Sequence, residues 1–168
     1  MGWFLGGLGL CALLLAGCAY HLGPTTGEAA GDKSISIAPF VNETLEPRLG
    51  DVTTQSVRKL VQRDGTYRLD THGPGDIAVT GTIIRYERNG VSYQPSDVLT
   101  VMDYRLTVTA HVKAVERASG RVVAERDVTG YALMRVSNDL TGSERQALPL
   151  VADDLGRRIT TLLVDGTW

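Results

Sequence analysis

A chain of 168 residues predicts one domain, and about 150 residues remain once a leader is set aside, enough for a single core. Lys and Arg number 17 against 19 Asp and Glu, a net charge of -2 at pH 7, which argues against a nucleic-acid binder held by counterion release. Both cysteines, Cys11 and Cys18, lie near the N-terminus, so the rest of the chain offers no disulfide, zinc cluster or thiol nucleophile.

Trp3 to Gly17 is an uncharged apolar run, too short for a comfortable membrane span and of the length of a secretory h-region. Leu15-Ala16-Gly17-Cys18 then forms a lipobox. Small residues at 16 and 17 fit a peptidase groove, and the Cys18 thiol is the nucleophile that takes up diacylglycerol. Residues 1–17 are therefore expected to be a lipoprotein signal peptide. Cys18 is expected to carry diacylglycerol and an N-acyl chain, with no other cofactor, and Cys11 to leave with the leader. No Lys or Arg precedes the apolar run, and a start codon further upstream would supply that charge. Acyl chains at about 0.8 kcal/mol per buried methylene anchor the product durably. Residue 19 is Ala and not Asp, which by resemblance to lipoprotein sorting points to the outer membrane. Residues 18–33 read as the lipidated end and a Gly-rich flexible tether, leaving 34–168 as the folded domain.

Alternation over 34–41 predicts a first strand with Pro39 near an edge, and Asn42-Glu43-Thr44 a turn. Apolar positions from Leu49 to Val61 recur at helical spacing, with Pro47 suited to the first helical position and Gly65 to the exit. Tyr67 to Asp70 is a short strand, and Asp76 to Arg88 a longer one. From Tyr104 to Ala114, apolar residues alternate with Arg105, Thr107, Thr109, His111 and Lys113. A hairpin loop at Glu116–Gly120 returns the chain as a partner strand over Arg121–Leu133. Ser143 to Val164 predicts a helix, opened by a Ser143/Gln146 capping box and disturbed by Pro149. The expected fold is α+β: a two-layer sandwich with a four- to five-stranded, mostly antiparallel sheet, two helices on one face and a polar open face.

His21, His72 and His111 are widely separated and show no metal spacing, and no phosphate loop or GxSxG elbow occurs. Asp153-Asp154 reads as a solvated helix face, since helical neighbours point about 100° apart. No enzyme is expected. What remains is the polar face of the long strand, with Arg105, His111 and Lys113, and with Arg85, Arg88, Arg121 or Arg126 on its neighbours. Such a strip suits lipid phosphates, and it equally suits an ordinary solvated sheet face charged against edge pairing; the pattern alone favours the latter.

Several motifs resemble one family. Cys18-Ala19-Tyr20-His21-Leu22 is similar to the C-G-Y-x-L opening of the lipopolysaccharide-assembly lipoproteins, the LptE family. Ile37 to Thr44 with Glu46-Pro47, Asp103-Tyr104-Arg105-Leu106 and Ser143 to Ala147 resemble its first strand, long strand and last helix in order. The chain departs from the pattern at Ala19 and Pro149. The resemblance implies a plug inside an LptD-type outer-membrane β-barrel, lipopolysaccharide as a bound partner, and no catalysis. By position it implies that His111 and Arg135, the latter in the loop before the last helix, meet lipopolysaccharide; Arg105 and Lys113 join them as contact candidates from the basic strip itself. The first strand also resembles outer-membrane lipoproteins that activate peptidoglycan synthases, which is the alternative function.

Overall fold

A computed structural model describes residues 31–136 and 139–165; the leader, Cys18, Ala19, His21 and most of the tether lie outside the described residues. The elements are β1 (Ser34–Ile37), β2 (Val41–Asn42), α1 (Leu49–Asp64), β3 (Arg68–Leu69), β4 (Ile77–Gln94), β5 (Asp97–Glu116), β6 (Val122–Arg135) and α2 (Leu140–Asp165). The sheet has six strands in the order β3-β1-β4-β5-β6, with β2 pairing beside β4. The three short strands pair in parallel, and the long β4-β5 and β5-β6 ladders are antiparallel. This is an α+β fold whose antiparallel backbone matches the expectation, with a parallel margin the sequence did not show.

Alternation predicts one strand over 34–41, but the structure has two. Pro39 has no amide to donate, so pairing stops there. Ala38 still gives its N–H to Val79 O, and the Phe40 amide turns to Thr54 Oγ1 of α1 at 2.9 Å. The Phe40 ring then lies over Gly81, where a Cβ would come within 2.1 Å of it. Asn42 accepts from the Thr44 amide at 3.1 Å and donates to Glu46 O, closing the expected turn. Pro47 falls just ahead of α1, and Gly65 ends the helix with φ 79°.

Residues 89–103 carried no legible period. They extend β4 and β5 into a ribbon that runs past the end of β6, with register shifts at Gly90, Ser92, Tyr93 and Gln94. Such bulges break the alternation on which sequence reading depends.

The last helix starts at Leu140, earlier than its capping-box signal. Ser143 does not cap: both its amide and its Oγ donate to Asp139 O, as in a helix interior. Pro149 lies inside the helix on its exposed side. There its missing donor is tolerated, because water can serve the carbonyl it leaves free.

Both helices cover one face of the sheet. Val57 and Val61 of α1 and Leu148, Val151, Leu155, Ile159 and Leu163 of α2 pack on Ile35, Val79, Ile83, Val108, Ala110, Val112 and Ala114, all buried. A smaller cluster of Leu106, Met134 and Ala147 continues the core toward the ribbon. Close approach of α2 to β6 depends on Gly130, where a Cβ would lie 2.5 Å from the Leu155 backbone nitrogen. At the ribbon's base Tyr86 donates its hydroxyl to Glu144, and Arg88 pairs with the same carboxylate at 2.8 Å.

Candidate functional site

With the helices on one side, the alternate residues of β4, β5 and β6 form the open face. Register sets them in rungs: Thr80, Lys113 and Glu125; Thr82, His111 and Asp127; Arg85, Thr109 and Thr129; Glu87, Thr107 and Tyr131; Asn89, Arg105 and Leu133. The face carries hydroxyls and charges, with Tyr131 and Leu133 of β6 as exposed apolar side chains toward the ribbon and Val122 of β6 at the opposite end.

Three of the four predicted contact residues have acidic partners. The His111 Nδ1 lies 2.7 Å from Asp127 Oδ1, and its Nε2 3.4 Å from Glu125 Oε1. Lys113 Nζ reaches Glu125 at 3.2 Å. The bond to Asp127 raises the His111 pKa above its ordinary value, with Glu125 adding to it. Glu125 is lowered, chiefly by its bond to Lys113. Arg135 is not in a loop: it is the last residue of β6, with its Nε 3.3 Å from Asp103 Oδ1. The chain stays paired with β5 through Arg135, so the strand runs two residues further than its apolar pattern.

Arg105 is held differently. Its guanidinium lies over the Tyr131 ring, 5.8 Å from the centroid, and it makes no ion pair among the described residues. The same ring also receives Arg158 of α2, at 5.1 Å. Arg158 Nε bonds Asp154 Oδ2 at 2.9 Å, and that oxygen accepts the Tyr131 backbone amide at 3.0 Å. Burial opposes ionisation of Asp154, but the Tyr131 amide and Arg158 outweigh it and hold the carboxyl below its ordinary value.

Of the neighbouring arginines, only Arg85 shares this face, opposite Thr109. Arg88 is on the helix side against Glu144 and Tyr104, Arg126 is in register with the buried Val112, and Arg121 pairs with Glu116 at the hairpin loop. The strip predicted from sequence is thus brought together only in part: His111 and Lys113 adjoin, while Arg105 lies six residues away, roughly 20 Å along an extended strand. Tyr131 and Arg158 were missed. Tyr131 carries a signal, since it keeps the period of Asp127 and Thr129; Arg158 has none, because its place depends on how α2 crosses the sheet edge.

Among the described residues there is no cluster of three His, Cys, Asp or Glu side chains fit for a metal, and no helix long and apolar enough to cross a membrane. Asp153 and Asp154 do not face each other as an acid–base pair: Asp153 bonds Arg157, and Asp154 bonds Arg158 and the β6 amide.

A family model described as LptE: Lipopolysaccharide-assembly matches residues 33–163. Among solved structures, the chain is similar to a hypothetical protein from Chlamydia trachomatis at 12% identity and a TM-score of 0.58, covering 82% of this chain and 98% of that one. A protein from Xanthomonas campestris matches at 16% identity and a TM-score of 0.54, over 80% of this chain and 85% of that one. A minor lipoprotein from Acinetobacter baumannii matches at 15% identity and a TM-score of 0.51, over 79% and 93%. At such identities these likenesses show a shared fold. No curated protein matches. The family match spans the folded body from just before β1 into the last turn of α2, and the role it names is assembly and not a reaction. The chain belongs to the LptE family of lipopolysaccharide-assembly proteins.

Proposed function

We propose that the chain is a non-enzymatic outer-membrane lipoprotein of the lipopolysaccharide translocon, lipidated at Cys18 and facing the periplasm. It plugs and steadies an LptD-type β-barrel and binds lipopolysaccharide on its way to the outer leaflet. The observation that carries this reading is the family match over 33–163. The body supports it: one face is closed by helices, and the other offers charges and hydroxyls along strands of 18 and 20 residues. At 3.3 Å per residue β4 spans roughly 60 Å, a long wedge suited to a lumen. Basic groups on this open face would meet the lipid phosphates, as charge-assisted hydrogen bonds favour.

Affinity purification of the native protein from membranes in mild detergent tests the partner. Recovery of a large β-barrel protein in near-equal amount is expected. A peptidoglycan synthase as the main companion would overturn the barrel assignment in favour of the synthase-activator alternative.

A further inference from the structure

The open face is not electrostatically uniform. At its Lys113 end, an approaching anion meets Glu125 and Asp127 together with Lys113 and His111, so attraction and repulsion largely offset. Toward the ribbon, Arg85, Arg105, Arg135 and Arg158 stand against the carboxylates of Glu87, Asp103 and Asp154, leaving a positive excess. Within that region Arg105 is distinctive. Like Arg85, it has uncharged rung neighbours, here Asn89 and Leu133, but unlike Arg85 it rests on an aromatic ring.

That difference decides what the side chain can still do. A guanidinium held over a ring is attracted by the π face and commits no N–H donor to a carboxylate, so its donors remain for phosphate oxygens. A guanidinium or ammonium bonded to a carboxylate has already spent donors. The Tyr131 ring carries Arg105 from β5 and Arg158 from α2, the latter already bound to Asp154, and beside them Leu133 is 62% exposed and Tyr131 50% exposed. A cationic fork adjoining exposed apolar surface matches a molecule with a phosphate at the root of acyl chains.

Resting on the lipopolysaccharide-binding reading above, we infer that Arg105, held over Tyr131 and flanked by Leu133, forms the subsite for the phosphate group of an acylated lipid, while Arg158, bound to Asp154, braces the ring from α2. His111 and Lys113 serve instead to pair β5 with β6.

The test uses the full lipidated chain in nonionic detergent, with three probes: phosphorylated lipid A, the same lipid dephosphorylated, and inorganic phosphate. Arg105→Gln is expected to weaken binding of phosphorylated lipid A about tenfold, the scale of one charge-assisted hydrogen bond. Arg105→Lys, which keeps the charge and loses the planar fork of donors, should lose less. The His111→Gln/Lys113→Gln double variant should stay within about twofold of the parent, and removing the lipid's phosphate should abolish the difference between Arg105→Gln and parent. Arg105 is exposed and makes no ion pair among the described residues, so an unchanged melting temperature is expected and separates binding from folding. Parent binding with an unaffected Arg105→Gln variant overturns the subsite alone, as does a double variant that loses as much as Arg105→Gln. Inorganic phosphate competing at the same concentration as the lipid makes this a free-anion site and overturns the amphiphile assignment. No binding of any lipid by the parent overturns the lipopolysaccharide-binding reading and the subsite with it.

Discussion

Tyr131 gives its backbone amide to the Asp154 carboxylate at 3.0 Å, across the outer edge of the sheet. β6 is the terminal strand on that side, so its outward amides have no strand to bond. A helix carboxylate fills one of those places and binds Arg158 at the same time.

Asp154→Ala should therefore destabilise the fold by about 0.5–1.5 kcal/mol, because it removes the carboxylate that bonds an edge amide and frees Arg158. Asp154→Asn should cost less, since an amide oxygen still accepts from Tyr131. Equilibrium urea unfolding measures both; equal costs for the two variants would contradict this account. The sign with pH follows from the lowered pKa of the folded state. The stabilisation is complete above the ordinary carboxylate value of 3.8 and is lost as pH falls through the lower folded value. Asp154→Asn should flatten that acid limb.

Gly130→Ala places a methyl against the Leu155 backbone, with 2.5 Å to its nitrogen and 2.6 Å to its Cα. Backbone cannot swing aside as a side-chain tip can, so α2 must shift from β6. A cost of about 1–3 kcal/mol is expected, read as a lower thermal midpoint. An unchanged midpoint would mean that α2 is not seated as closely as described.

The His111 imidazole should titrate above 6.5, by NMR of its ring protons, because Asp127 and then Glu125 favour its charged form. Asp127→Asn should bring the value down further than Glu125→Gln does. The raised folded value means that these contacts contribute in full below the unfolded pKa and fade as pH rises through the folded one. A titration at or below 6.5 would show that the carboxylates do not hold the ring.

Cys18→Ala should leave a precursor of higher mass, without acyl chains. Mass spectrometry of the protein from membranes checks it. Processing and acylation at the normal size in that variant would refute the lipobox reading.

How legible these features were depends on how local their causes are. Tyr104 to Ala114 showed itself as a strand because each side chain's face follows from its own position. Val57, Val61, Leu155 and Ile159 marked helical stripes for the same reason. Pro39 announced an edge, but not that the strand would restart two residues later on the strength of the Thr54 hydroxyl and Gly81. The basic strip was visible as a list of residues, yet its chemistry was not. Whether Lys113 meets Glu125, or Arg105 meets Tyr131, depends on the register between β5 and β6, and a one-residue slip would exchange every partner. Arg158 was hidden more deeply, since it joins the face by reaching past the sheet's last strand.

The ribbon formed by the far ends of β4 and β5 begins where β6 stops and ends at Gln94 and Asp97, while the described chain enters beside Thr66 at the opposite end of the sheet. Entry point and hairpin tip are thus the two ends of one long lever. A slight tilt of the body about its entry end sweeps the tip through a wide arc, so contacts made at the tip govern the protein's orientation far more strongly than contacts made at the entry end.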